Sequence, residues 1–218
     1  MLIHAVNQSA IEIERECYGV GHSHRSMSAP RVQVNCQAGR STLWTLGHST
    51  LAIDVLLANL TRNGIEAVAD VRRFPGSVRN PQFGASALQR SLAAAGLAYR
   101  PMPELGGRRT PRPDSRNTVW RNASFRGYAD YMETQAFDEA AARLAAVARE
   151  RATAVMCAEA VWWRCHRALI ADAFAVSGWR VLHIGEGGRV NPHPFTAAAR
   201  NVGGRVSYQE DGETLRLF

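Results

Sequence analysis

The stretch CAEAVWWRCHR, Cys157 to Arg167, places two thiols, a carboxylate, two indoles, an imidazole and two guanidiniums within eleven residues. Each type has its own chemistry. A thiol with a lowered pKa is a nucleophile, and His166 with Glu159 can move protons. Arg164 and Arg167 carry planar forks suited to phosphate or carboxylate, and Trp162 and Trp163 offer faces on which a base can stack. Structural roles compete at every position. A free cysteine also behaves as a small hydrophobe, indoles also fill cores, and helix-borne arginines also pair with acids or face solvent.

Three mechanisms suit these residues. In the first, Arg72, Arg108, Arg126, Arg164 and Arg167 surround an anion. Trp162, Trp163 or Tyr128 stack on a base, and His166 or His48 works with Glu159 or Asp70 as acid and base. Asp70 with Arg72 reads equally well as an ion pair at a strand end. In the second, Cys157 is a nucleophile. Six residues separate it from Arg164, one more than an anion-wrapping phosphatase or rhodanese loop needs, and Trp162-Trp163 stand where small residues are expected. That analogy is therefore set aside. In the third, Cys157, Glu159, Cys165 and His166 hold zinc, although no C-x-x-C or H-E-x-x-H spacing is present. The reading thus calls for no cofactor and no metal, with zinc as the minor alternative. His22 and His24 with Cys17 and Cys36 make too thin a pattern for a second metal site.

These side chains need elements to hold them. TLWTLGH, IEAVADV, LAYRPMP, TAVMC and WRVLHIG read as buried strands, and the stretches between them as helices closed by glycines such as Gly64, Gly96 and Gly178. One helix is expected from Ala158, ending at Gly178, so that Glu159 to Arg167 lie on its first turns and Cys157 at its N-terminus. YADYMETQAFDEAAARLAAVARER predicts one long helix or two broken near Thr134. FTAAARNVG suggests a last short helix, and the tail a hairpin around Asp211-Gly212. Alternating strands and helices argue for a mostly parallel sheet in a single three-layer α/β domain over residues 41–218. Residues 1–40 lack a sustained period and read as a disordered extension.

Parallel sheets bind ligands beyond the carboxyl ends of their strands. Those ends carry His48-Ser49, Asp70-Val71-Arg72, the run from Glu104 to Arg108, Cys157-Ala158-Glu159, and His183. All five are polar or ionisable, which predicts one shared basin at that rim.

The formal net charge is +7, and every one of the 26 basic residues is arginine. Residues 101–128 hold six arginines against Glu104 and Asp114, a local balance of +4. An anionic partner is expected, either a small molecule or a nucleic acid. No apolar run reaches membrane-spanning length, so no membrane partner is expected. Four cysteines without framework spacing, and a start without a basic-then-apolar leader, point to the cytoplasm.

Taken together, LWTLGHST, DVRRFPGSVRNPQF, PELGGRR, FRGYADYM, MCAEAVWWRCHR and LHI, in this order over residues 42–195, closely resemble the domain of unknown function 488 family. The resemblance implies a compact α/β domain whose motif residues form one site. It implies no reaction. The residues themselves favour an enzyme, a hydrolase or transferase acting on a phosphate-bearing ligand, with a non-catalytic nucleotide or nucleic-acid binding module as the alternative.

Overall fold

A computed structural model describes residues 41–76 and 79–209. The expectations for residues 1–40 and for a hairpin around Asp211-Gly212 lie outside them. Five parallel strands form the sheet: β1 (Thr42–Gly47), β2 (Ala67–Asp70), β3 (Ala98–Pro101), β4 (Thr153–Cys157) and β5 (Arg180–Ile184). An antiparallel edge strand, β6 (Val190–Pro192), completes the order β3-β2-β4-β1-β5-β6. β4 therefore lies between β1 and β2, with Gly47 opposite Cys157 and Asp70 opposite Met156. This insertion brings the ends of three strands with chemically active followers side by side.

Both faces of the sheet are covered, which explains strands that read as nearly continuous apolar runs. On one face lie α1 (Ile53–Arg62) and α2 (Ala85–Ala94), whose Leu56, Leu60, Leu88 and Leu92 are fully buried against Val68 and Met156. On the other lie α3 (Ala123–Met132), α4 (Gln135–Glu150) and α5 (Arg167–Val176), with Tyr128, Leu144, Leu169 and Ile170 packed on Leu43 and Val155. The result is a single three-layer α/β domain. α3 and α4 are separate helices because the Thr134 side chain caps α4, accepting from the Phe137 N–H. Among the described residues no helix is long and apolar enough to cross a membrane.

Two expectations are corrected. The helix after β4 begins at Arg167, not Ala158. The carbonyls that would start it are taken by tertiary partners: Ser49 N–H donates to Ala158 O at 2.9 Å, and the Arg167 guanidinium donates to Glu159 O. Residues 158–166 consequently form a loop with a short 3₁₀ turn over Trp162–Arg164. The stretch FTAAARNVG forms no helix. It turns at Thr196 and runs into a hairpin, β7 (Arg200–Val202) with β8 (Arg205–Ser207), around Gly203-Gly204.

Candidate active site at the carboxyl rim

The strand ends converge as the parallel sheet requires, and a hollow of about 450 Å³ opens there. Arg72, Arg108, Cys157, Glu159, Arg164 and His166 all line it, so six sequence-expected residues meet. Arg73 and Phe74 also line it and were not expected there, and Cys165, expected only in the minor zinc reading, lines it too. A second hollow of about 490 Å³ adjoins it, sharing Arg73, Phe74 and Arg108 and adding Arg109 and Arg112. A third, about 340 Å³, lies between α4, α5 and the hairpin and includes no residue from a strand end.

His48 and Asp70 do not line the hollow; they lie beneath it and hold Arg72. Arg72 Nε donates to Asp70 Oδ1 at 2.8 Å and Nη2 to Oδ2 at 2.6 Å. Its Nη1 donates to Phe83 O at 2.8 Å and lies 3.1 Å from His48 Nε2. His48 Nδ1 lies 3.0 Å from Ser49 O, so the consistent tautomer carries its proton on Nδ1 and accepts from Arg72 on Nε2. Burial lowers the His48 pKa to about 4, against the opposing Ser49 bond, which keeps the ring neutral. Tyr99 completes the set by donating to Asp70 Oδ2 at 2.8 Å. Asp70 thereby neutralises Arg72, and the hollow retains three further guanidiniums, Arg73, Arg108 and Arg164, against Glu159.

The thiols form the opposite wall. Cys157, Cys165 and His166 present ligand atoms that all lie within 4.8 Å of one another, a cluster able to hold a metal ion. Cys165 Sγ is 3.6 Å from His166 Nδ1 and accepts from Arg167 Nε at 3.4 Å. With α5 starting at Arg167, the helix N-terminus faces Cys165 rather than Cys157. The shared hydrogen bond from Cys157, then His166 and Arg167, hold the Cys165 thiol well below its usual range, while the same bond and burial push Cys157 up. His166 packs 5.1 Å from the Tyr128 ring, and a Cβ on Gly107 would lie 2.7 Å from its Nδ1.

The remaining expected residues lie away from the hollow. Arg167 is buried and spans the loop, bonding Cys165 and the carbonyls of Glu159 and Ala160. Tyr128 is buried behind His166 and donates to Leu105 O at 2.8 Å. Ser49, at φ 44°, serves through its backbone. Arg126 lies on α3 with its Nε buried and unpartnered, and Trp163 is exposed beside Arg164 in the chain.

His183 belongs to a buried relay that spacing did not reveal. Asp172 Oδ1 lies 2.9 Å from His193 Nε2, His193 Nδ1 lies 2.9 Å from His183 Nε2, and His183 Nδ1 lies 2.6 Å from Thr45 Oγ1. The carboxylate must accept from His193 Nε2; with both rings neutral, His183 Nε2 then donates to His193 Nδ1 and Thr45 donates to His183 Nδ1. Thr196 and Tyr208 satisfy Asp172 further. Trp162 stacks flat on His183, with centroids 4.2 Å apart and planes at 4°, so that face of the indole is already covered.

Four of the motif blocks that carry the resemblance contribute residues to this hollow, Arg72, Arg108, Phe125 and Cys157 among them. A family model described as domain of unknown function DUF488 matches residues 52–174. The chain belongs to the DUF488 family. The matched stretch runs from the start of α1 to near the end of α5 and includes the Asp70–Arg72 clamp and the thiol wall of this DUF488 domain. No curated protein and no solved structure matches the chain.

Proposed function

We propose that this DUF488 protein is an enzyme acting on a phosphate-bearing ligand of the nucleotide or nucleic-acid class. The observation that carries this reading is the facing arrangement within one hollow: Arg73, Arg108 and Arg164 as charged fork donors, and Cys157, Cys165 and His166 as potential reacting groups. Guanidiniums bind phosphate by paired, charge-assisted hydrogen bonds, and Arg72, held rigidly by Asp70, adds a donor that costs little further ordering. Glu159, exposed at the edge, and His166 are the proton-moving groups in reach of the hollow.

The alternative is binding without turnover. It is favoured by the second hollow, where Arg109 joins Arg73 and Arg108 while Arg112 is paired with Glu133 and Asp130, and by Phe74, 68% exposed where the two hollows meet. A basic groove with an accessible ring suits single-stranded nucleic acid.

Calorimetric titration of the full chain with inorganic phosphate, mononucleotides and short single-stranded DNA and RNA tests the shared premise. Saturable binding that weakens with Arg108→Ala and Arg164→Ala is expected, and no binding by any of these probes would refute it. Turnover of the bound probe, lost in Glu159→Ala or His166→Gln with binding intact, separates the enzyme from the module.

A further inference from the structure

We propose that Cys157, Cys165 and His166 form a three-ligand site for a thiophilic divalent cation of the zinc class, with its remaining coordination position turned towards the arginine-lined hollow. Side-chain placement alone supports the cation site. Its service to a phosphate-bearing ligand rests on the reading above.

The argument begins with distances. Zinc–sulfur bonds of about 2.3 Å and zinc–nitrogen bonds of about 2.0–2.1 Å at tetrahedral angles give a sulfur–nitrogen edge of roughly 3.6 Å and a sulfur–sulfur edge of roughly 3.8 Å. Cys165 Sγ and His166 Nδ1 are 3.6 Å apart, and no pair among the three ligand atoms exceeds 4.8 Å. Contraction by about an ångström at most would complete the triangle. One edge of the triangle joins the sequence neighbours Cys165 and His166, and the fold adds the third ligand, Cys157, from the end of β4.

The surroundings match a metal centre. Arg167 Nε donates to Cys165 Sγ at 3.4 Å, an outer contact that orients the sulfur. Glycine at 107 lets the backbone pack over the face of the His166 ring, where a Cβ would lie 2.7 Å from Nδ1 and 3.1 Å from Cγ and would displace the ring. All three residues line the hollow, so three protein ligands would be present and the fourth position would face solvent or a bound anion. Closed structural zinc sites use four protein ligands, whereas three with an open position is the catalytic arrangement. Binding takes both sulfurs as thiolates, so any thiol proton still held passes to solvent, and no electron transfer is involved.

The full chain, prepared under reducing conditions and given zinc alone, is expected to take up one zinc per chain by elemental analysis and native mass spectrometry. The Cys157→Ser/Cys165→Ser chain should lose this zinc, His166→Gln and Gly107→Ala should bind it at least about tenfold more weakly, and Cys17→Ser/Cys36→Ser should retain it. Zinc kept by Cys157→Ser/Cys165→Ser, or lost by Cys17→Ser/Cys36→Ser, overturns the assignment. So does a parent chain that takes up none. Should the serine variants fail to fold, cobalt added to the Cys17→Ser/Cys36→Ser chain reads ligation directly, since thiolate ligands produce intense charge-transfer absorption and its absence refutes the site. Phosphate titration of the same preparations separates the two readings. Arg108→Ala/Arg164→Ala should lose phosphate and keep zinc. A parent chain that takes up no zinc yet binds phosphate sinks only the cation site.

Discussion

The backbone carbonyl of Glu159 lies where a side chain on residue 47 would begin: a Cβ built on Gly47 would be 2.0 Å from that oxygen. The glycine ending β1 is therefore a gap through which the loop after β4 passes, and the loop carries the thiol wall. Gly47→Ala should cost about 1–3 kcal/mol, the usual range for forced overpacking. By contrast Glu159→Ala should leave stability within about 0.5 kcal/mol, because the carboxylate is exposed and bonds only Val161 N–H, at 3.3 Å. Urea denaturation of both variants checks the pair. Equal losses would mean that the Glu159 carboxylate, and not its backbone, holds the loop.

Asp70 and Arg72 are buried together, so removing one partner strands the other. Asp70→Asn should destabilise the domain by about 3–5 kcal/mol. It should also weaken phosphate binding, since Arg72 loses the carboxylate that fixes its fork. A variant that melts like the parent would show that Phe83 O and His48 suffice to hold Arg72.

Arg108 sits at φ 58°, a left-handed conformation that glycine adopts without strain. Arg108→Gly should therefore raise stability by about 1 kcal/mol while weakening anion binding. The salt dependence of nucleic-acid binding should become shallower by about one counterion. Thermal melts and titrations at two salt concentrations test both halves. Unchanged affinity would remove Arg108 from the anion site.

The buried imidazole of His183 links stability to pH. Burial first, then His193 and Arg167, lowers its pKa to about 3, whereas an unfolded histidine titrates near about 6.5. Between those values the unfolded chain binds the additional proton, so stability falls as pH falls, by up to about 1.4 kcal/mol per pH unit. Above pH 6.5 the contribution is constant. Denaturation at pH 7.5 and 4.5 should show this slope. His183→Gln should be less stable at pH 7.5 and less sensitive between the two pH values; an unaltered slope would assign the effect elsewhere, beginning with His48.

Local pattern carried much of this protein. Apolar runs bounded by glycines reveal β1 to β5, and helical spacing reveals α1, α2 and α4, because burial on one stripe or two faces imposes its period on the chain. A parallel sheet then forces the strand ends to one rim, so Cys157, Glu159, Arg72 and Arg108 are legible as neighbours in the sequence alone. What the chain alone left open was which of those groups face the hollow. That choice depends on contacts between distant segments: β4 inserted between β1 and β2, Ser49 and Arg167 capturing the carbonyls of Ala158 and Glu159. Those bonds delay α5 to Arg167 and move the helix N-terminus to Cys165, while separate contacts make His48 and Asp70 supports for Arg72. Thr45 and His183 meet across 138 positions, a separation at which no local periodicity acts, and only folding brings their side chains together.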